Sequence, residues 1–365
     1  MADDLIYQIA LTLLPNIGDV HAKELINRFH TAENVFKAKR KDLESIEGFG
    51  ITRVKSILDF KDFSRAESEI KFIEKYKINT LFLTDDTYPK RLLNCYDPPC
   101  LLYYKGNADL NASKILSVVG TRKNNEYGKA LCEKTIADLG GSNVLIVSGL
   151  AFGIDTIAHK ASLKNNLHTV GVVAHGLDRI YPSENKILAK EMIEMGGLLS
   201  EFKSDTNPDK QNFPRRNRIV AGICDALLVI ESGIKGGSLI TAELGNSYNK
   251  DVFAFPGRTT DARSEGCNYL IKNHKASMVT CATDILELMG WAEIKKTVKK
   301  QRELFIELSP DEKIILDILH AEEQMHIDKL YQISNLTSSA VASALLTLEM
   351  QGIVCSLPGK IYKQA

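Results

Sequence analysis

The rhythm of hydrophobic and polar positions changes twice along the chain. Over the first 75 residues apolar side chains recur at helical spacing in Leu5 to Leu14, Ala22 to Phe29 and Val54 to Phe60, which predicts a helical domain over 1–75. From Ile78 the runs become short and β-rich, Thr80 to Thr84 and then Leu101 to Tyr104, with Tyr88-Pro89 and Asp97-Pro-Pro99 between them. Proline fixes φ and lacks the amide donor, so no helix runs through these stretches. They read as an edge extension of the domain that follows.

From about Lys114 to Gly290 strand-length apolar runs fall at Ile115 to Val119, Val144 to Ser148, Thr169 to Ala174, Gly197 to Glu201, Ala226 to Ile230 and Val252 to Phe255. Helical stretches separate several of them; in Glu126 to Leu139 the residues Gly128, Cys132, Ile136 and Leu139 share one face. Strands this apolar, interleaved with helices, predict a parallel sheet covered on both faces, an α/β Rossmann-like core over 78–290. A charged linker, Glu293 to Arg302, follows. Three helical stretches and a terminal strand pair then predict a winged-helix domain over 305–365. Its recognition helix, Thr337 to Met350, contains no Lys or Arg, which favours protein contact or weak DNA binding over base reading.

Two turns in the helical domain are similar, Leu14-Pro-Asn-Ile-Gly18 and Ile46-Glu-Gly-Phe-Gly50. Each places a glycine before a new helix, the pattern of helix-hairpin-helix (SAM-like) units whose turns offer backbone N–H groups to phosphates. A plain bundle that uses glycine to turn is the alternative. Glu47 brings negative charge to the second turn.

Composition narrows the partners. Hydrophobic residues make up 44% of 365, as in a globular protein, and 46 basic side chains balance 46 acidic ones. No global field pulls such a chain onto a polyanion, so any such binding needs a local patch. The seven cysteines are scattered without a Cys-x-x-Cys, which predicts free thiols and neither a disulfide framework nor a metal site. An acidic start and no apolar run of about 18 residues predict a cytoplasmic protein with no membrane segment.

The chemistry collects where strands end, the place for ligands in a parallel sheet. Gly120-Thr121-Arg122 closes the first strand and offers N–H groups and a guanidinium. Ser148-Gly149 closes the second, followed by Gly153, Asp155 and His159; the last two share a helix face and read as structural support. Phe213-Pro-Arg215-Arg216-Asn217-Arg218 joins an aromatic ring to three arginines, a combination suited to stacking bases and clamping phosphates. Glu231 ends a later strand, and Gly236-Gly237-Ser238 with Thr241 opens a helix as a phosphate seat. No Walker lysine and no Gly-x-Gly-x-x-Gly fingerprint accompany these turns, so neither ATP hydrolysis nor a dinucleotide cofactor is expected.

In this order the motifs closely resemble those of the DNA-processing protein A family (DprA, or Smf): Val118 to Arg122, Ser148 to Asp155, Phe213 to Gly222, Glu231 with Gly237 to Ala242, and Phe255-Pro-Gly257. The resemblance covers about 80 to 290. It implies a Rossmann-like domain that binds single-stranded DNA without sequence preference, forms a homodimer and loads RecA recombinase in natural transformation. Arg122 and Arg215 to Arg218 would hold phosphates, and the Gly120, Gly149 and Gly237 turns would line the pocket. An enzymatic rival is a nucleoside-monophosphate phosphoribohydrolase acting through Glu243. One extra residue before Thr241 rotates Glu243 by about 100° from the position such an enzyme needs.

Overall fold

The computed structural model describes residues 2–292, 308–322 and 324–364, with the backbone alone for Ala2 and Asp3; the linker expected at 293–302 lies outside them. The chain divides into two compact units, 1–292 and 293–365.

The first unit is built on nine strands: β1 Asn79–Phe82, β2 Leu101–Gly106, β3 Ile115–Val119, β4 Leu145–Ser148, β5 Thr169–Val172, β6 Gly196–Ser200, β7 Ala226–Val229, β8 Asp251–Ala254 and β9 Ser277–Met278. Their order is β1-β2-β6-β5-β4-β3-β7-β8-β9. From β6 to β9 every neighbouring pair is parallel. The expected edge extension is the ribbon β1-β2, antiparallel within itself and against β6. β9 has no apolar run and both its residues are exposed, so hydrophobic pattern gives no sign of it.

β3 is buried at all five residues because it lies between β4 and β7 and carries helices on both faces. Side chains alternate across a strand. Ile115 and Val119 accordingly join one core with Val147, Val229, Ile219 and Val220, whereas Leu116 and Val118 join the other with Ile146, Leu228, Ile136 and Ile154. The serines in these strands are satisfied: Ser117 Oγ donates to Val220 O at 2.6 Å, and Ser148 Oγ to Val118 O at 2.6 Å.

Helices Ala2–Leu13, Asp19–Phe29, Ile51–Leu58 and Ser64–Tyr76, with two shorter ones, form the N-terminal part of this unit. Its two similar turns take the same shape. The left-handed residues are Asn16 (φ 64°) and Gly48 (φ 80°), while Gly18 and Gly50 are extended N-caps. Arg53 donates to both Asn16 O and Gly48 O, so the turns lie side by side. The helices share a core with β2 and β3. Polar ties reinforce this packing: Lys23 Nζ donates to Leu93 O at 2.9 Å, and buried Glu69 pairs with Arg65 at 2.8 Å while accepting the Ser204 N–H at 2.9 Å.

The second unit packs helices Pro310–Ala321, Ile327–Ser334 and Ser338–Met350 on a three-stranded sheet of β10 Met325–His326, β11 Val354–Leu357 and β12 Ile361–Gln364, ordered β10-β12-β11. Ser309 caps the first helix in a capping box with Glu312, and Thr337 caps the third by accepting the Ala340 N–H at 3.2 Å. Val341, Leu345 and Leu348 face the core; Ala342, Leu346 and Met350 face solvent.

Candidate nucleic-acid interface

Strand order reverses at β3. The chain leaves β3 for β4 on one side, and the later strands β7 and β8 build out on the other. At such a switch point the connections diverge to opposite faces and leave a crevice outside the carboxyl ends. Here it is a cleft of about 640 Å³ lined by Gly120 to Lys123, Gly149, Ala151, Asp155, Lys210, Phe213, Pro214, Arg216, Asn217, Gly236 to Ser238, Ile240 and Thr241.

Close backbone approach shapes one wall. Gly153 stands at φ 80°, and a Cβ there would lie 2.2 Å from Thr121 O. The Ile154 N–H donates to that same oxygen at 3.2 Å, locking the β3 and β4 turns together. A Cβ on Gly120 would fall 2.4 Å from the Ile154 side chain. Gly149 lets Arg216 and Asp155 meet over the turn, since a Cβ would lie 2.1 Å from Arg216 Nη1 and 2.3 Å from Asp155 Oδ2.

Asp155 and His159 share a helix face but, among the described residues, form no hydrogen bond with each other. Each holds the β4 turn separately. Asp155 Oδ2 accepts the Ala151 N–H at 3.3 Å, and His159 Nε2 lies 2.6 Å from Gly149 O. A carbonyl only accepts, so Nε2 carries the proton and Nδ1 accepts the Thr169 hydroxyl at 2.7 Å. Burial pushes the imidazole pKa down to about 4, which keeps that neutral tautomer. Burial lifts the Asp155 carboxyl above its usual value, with Arg216 pulling the other way. Glu231 supports the β3 turn from behind: its carbonyl accepts the Thr121 N–H at 2.7 Å and its carboxylate the Asn125 N–H at 3.2 Å. Ser148 lies beneath the cleft with its hydroxyl spent on Val118 O.

Four cations face the cleft, Arg122, Lys123, Lys210 and Arg216, against the single carboxylate of Asp155. Arg216 is buried and fixed by Val172 O at 2.6 Å and Asn217 Oδ1 at 3.1 Å, while Arg122, Lys123 and Lys210 are exposed. The Arg122 guanidinium sits 5.1 Å above the Phe213 ring, a cation–π contact that aims it across the mouth. Opposite stands the helix Gly237–Ser247, whose N-cap Gly236 supplies no side-chain cap. Its first-turn N–H groups and positive dipole end suit an anion. The hydroxyls there have internal partners: Ser238 Oγ donates to Ser232 Oγ at 2.8 Å and Thr241 Oγ1 to Gly237 O at 3.1 Å.

The arginine run is not one wall. Helix Asn212–Gly222 turns 100° per residue, so Phe213, Arg216 and Asn217 face the cleft while Arg215 and Arg218 face away. Arg218 is 7% exposed and forms an interior tie to Glu201, to Asp19 at 2.8 Å and to Asp97 at 3.7 Å. Burial opposes its charge, yet the three carboxylates hold its pKa above the ordinary arginine value. Arg215 pairs with Glu201 at 3.2 Å, lies 5.1 Å over the Phe202 ring and lines a separate hollow beside Asp19 and Lys203. Of the run Arg215 to Arg218 expected to hold phosphates, the structure brings Arg216 and Asn217 to the cleft and does not bring Arg215 and Arg218 there. Sequence reasoning missed Lys210, a lone lysine in a loop with no motif around it. Glu243 is outside the cleft and pairs with Lys275 at 2.7 Å.

Comparison with known proteins decides the family. The profile described as DNA recombination-mediator protein A matches residues 79–290, and the DprA winged helix domain matches 303–360. The chain belongs to the DNA recombination-mediator protein A family. A protein named Smf from Synechocystis is 31% identical over 98% of both chains, and the DNA processing protein DprA of Streptococcus pneumoniae is 40% identical over 62% of this chain and 85% of its own. The crystal structure of that pneumococcal protein superposes with a TM-score of 0.67 at 34% identity, covering 77% of this chain and 97% of its own. DNA processing protein A from Helicobacter pylori, studied for its single-stranded DNA binding mode, gives a TM-score of 0.53 at 29% identity over 58% of this chain and 95% of its own. The family match spans every segment of the cleft, and the N-terminal helices precede it. Among the described residues no helix is long and apolar enough to cross a membrane.

Proposed function

We propose that this protein binds single-stranded DNA in the switch-point cleft and acts as a recombination mediator during natural transformation. The observation that carries this reading is the convergence of Arg122, Lys123, Lys210 and Arg216 with an uncapped helix N-terminus and the Phe213 ring on one open groove. Phosphates are neutralised by the cations while bases meet the aromatic edge. The groove's one carboxylate accepts the Ala151 N–H and lies beside Arg216, an arrangement that supports a structural role for it in a binding site. Delivery of the strand to RecA, a homodimeric state and a cytoplasmic location complete the proposal, and they rest on the family. The winged helix, with no basic side chain on its recognition helix, serves protein contact ahead of base reading.

Fluorescence anisotropy with labelled oligo-dT tests the core of this. Arg122→Ala should weaken binding about tenfold or more and reduce the salt slope by roughly 0.7, the value for one single-strand phosphate contact. Equal affinity for the two proteins would remove the cleft from the DNA site. The phosphoribohydrolase reading has its own check: adenine released from AMP would restore it, against the placement of Glu243 on the outside with Lys275.

A further inference from the structure

Phosphate binding leaves the apolar side of the cleft mouth unexplained. Phe152, in the turn after β4, is 46% exposed, and Tyr181, in the loop after β5, is 48% exposed. Scattered apolar side chains on a surface are ordinary. These two, however, line one side cleft together with Phe213, and that side cleft shares Arg122 and Arg216 with the cationic groove. The Tyr181 ring lies 6.2 Å from Phe213 at 53°, and Phe213 in turn carries the Arg122 guanidinium. The side cleft itself holds about 30 Å³, room for one water and not for a base. What the rings offer is their outer faces.

We propose that Phe152 and Tyr181 form a stacking shelf for unpaired bases of a strand whose phosphates occupy the adjacent groove, and that this shelf sets the preference for single over double strands. The inference rests on the single-stranded DNA reading above. Every base has a π-face, so such a shelf tolerates sequence. A duplex turns its phosphates outward with its bases already stacked, so it gains from the cations and nothing from the rings. Single-strand preference then follows from two aromatic side chains and needs no hydrogen-bond readout.

The test compares oligo-dT with an oligomer of abasic residues of equal length and charge. Wild type should bind oligo-dT about tenfold or more tighter than the abasic strand, in line with base stacking on aromatic residues. The F152A/Y181A pair, which keeps Phe213, should lose most of that preference while binding the abasic strand as wild type does, with an unchanged salt slope. Phe152→Trp should keep oligo-dT affinity and add an indole quenched by oligo-dT and not by the abasic strand. The natural Trp291, the chain's one tryptophan, packs against the sheet core and gives a constant background. Full retention of the base preference in the alanine pair, or equal weakening toward both strands, would overturn the shelf. If the alanine pair does not fold, an unquenched Phe152→Trp indole overturns it instead. Failure of the underlying reading looks different: wild type then binds neither strand, or Arg122→Ala binds both as well as wild type, and the shelf falls with it.

Discussion

Gly149 lies so close under Arg216 that a methyl group in place of its hydrogen would sit 2.1 Å from the guanidinium Nη1. The same methyl would press on Asp155 Oδ2, so the β4 turn, the buried cation and its carboxylate are one packed unit. Gly149→Ala should therefore cost about 1–3 kcal/mol in urea unfolding and weaken oligo-dT binding together, because Arg216 must leave Val172 O to make room. Unchanged values for both would show that the turn yields freely.

His159 gives the fold a pH dependence whose sign follows from its lowered pKa. The unfolded ring binds a proton below about 6.5 and the folded ring only below about 4, so stability falls as pH drops across that window and levels off beneath it. Between pH 7 and pH 5 the loss from this group amounts to about 2 kcal/mol. Burial lowers the His175 pKa too, adding in the same direction. The Asp155 carboxyl is shifted upward and contributes oppositely, gaining stability as pH falls through its folded value. His159→Gln, which keeps a donor for Gly149 O, should show a shallower stability profile than wild type over this range in urea titrations at fixed pH steps.

Arg218 and Arg122 should separate cleanly in two assays. Replacing Arg218 with Met leaves Glu201 and Asp19 without their shared cation in the interior, and removal of one partner from a buried pair costs about 3–5 kcal/mol. The salt slope for oligo-dT should stay as in wild type wherever the variant remains folded. Arg122→Ala should do the reverse, with unfolding unchanged and the slope reduced. A reduced slope in Arg218→Met would return that side chain to the DNA path.

The Glu243–Lys275 pair is half exposed at both ends. Exposed pairs contribute about 0–1 kcal/mol, so Glu243→Ala should leave the melting temperature and the oligo-dT affinity within error of wild type. A marked loss of affinity would place the outer face of helix Gly237–Ser247 in the binding route.

The sheet was legible because its strands are apolar on both faces and bounded by turn residues: β3 and β7 fall within one residue of the runs Ile115 to Val119 and Ala226 to Ile230. The glycine turns were legible as well, since a strand, a glycine and a helix in that order have few uses other than close approach. The division of labour among Arg215, Arg216 and Arg218 was hidden. It depends on Asp19, Asp97 and Glu201, carboxylates scattered over nearly two hundred positions that meet only after folding. Tyr181 and Lys210 were hidden for the same reason: each is a single residue in a loop, and only the loop's path brings it to the cleft.

The tie at Arg218 bears on how the chain can be cut. A fragment trimmed to the segment that matches the family, from residue 79 onward, discards Asp19 while keeping the cation it neutralises, and it uncovers the Cys100 amide that Asp19 also accepts from at 3.2 Å. A piece that keeps this tie whole must begin before Asp19, and Ala292, where the compact unit ends, is the cut that leaves its contacts intact.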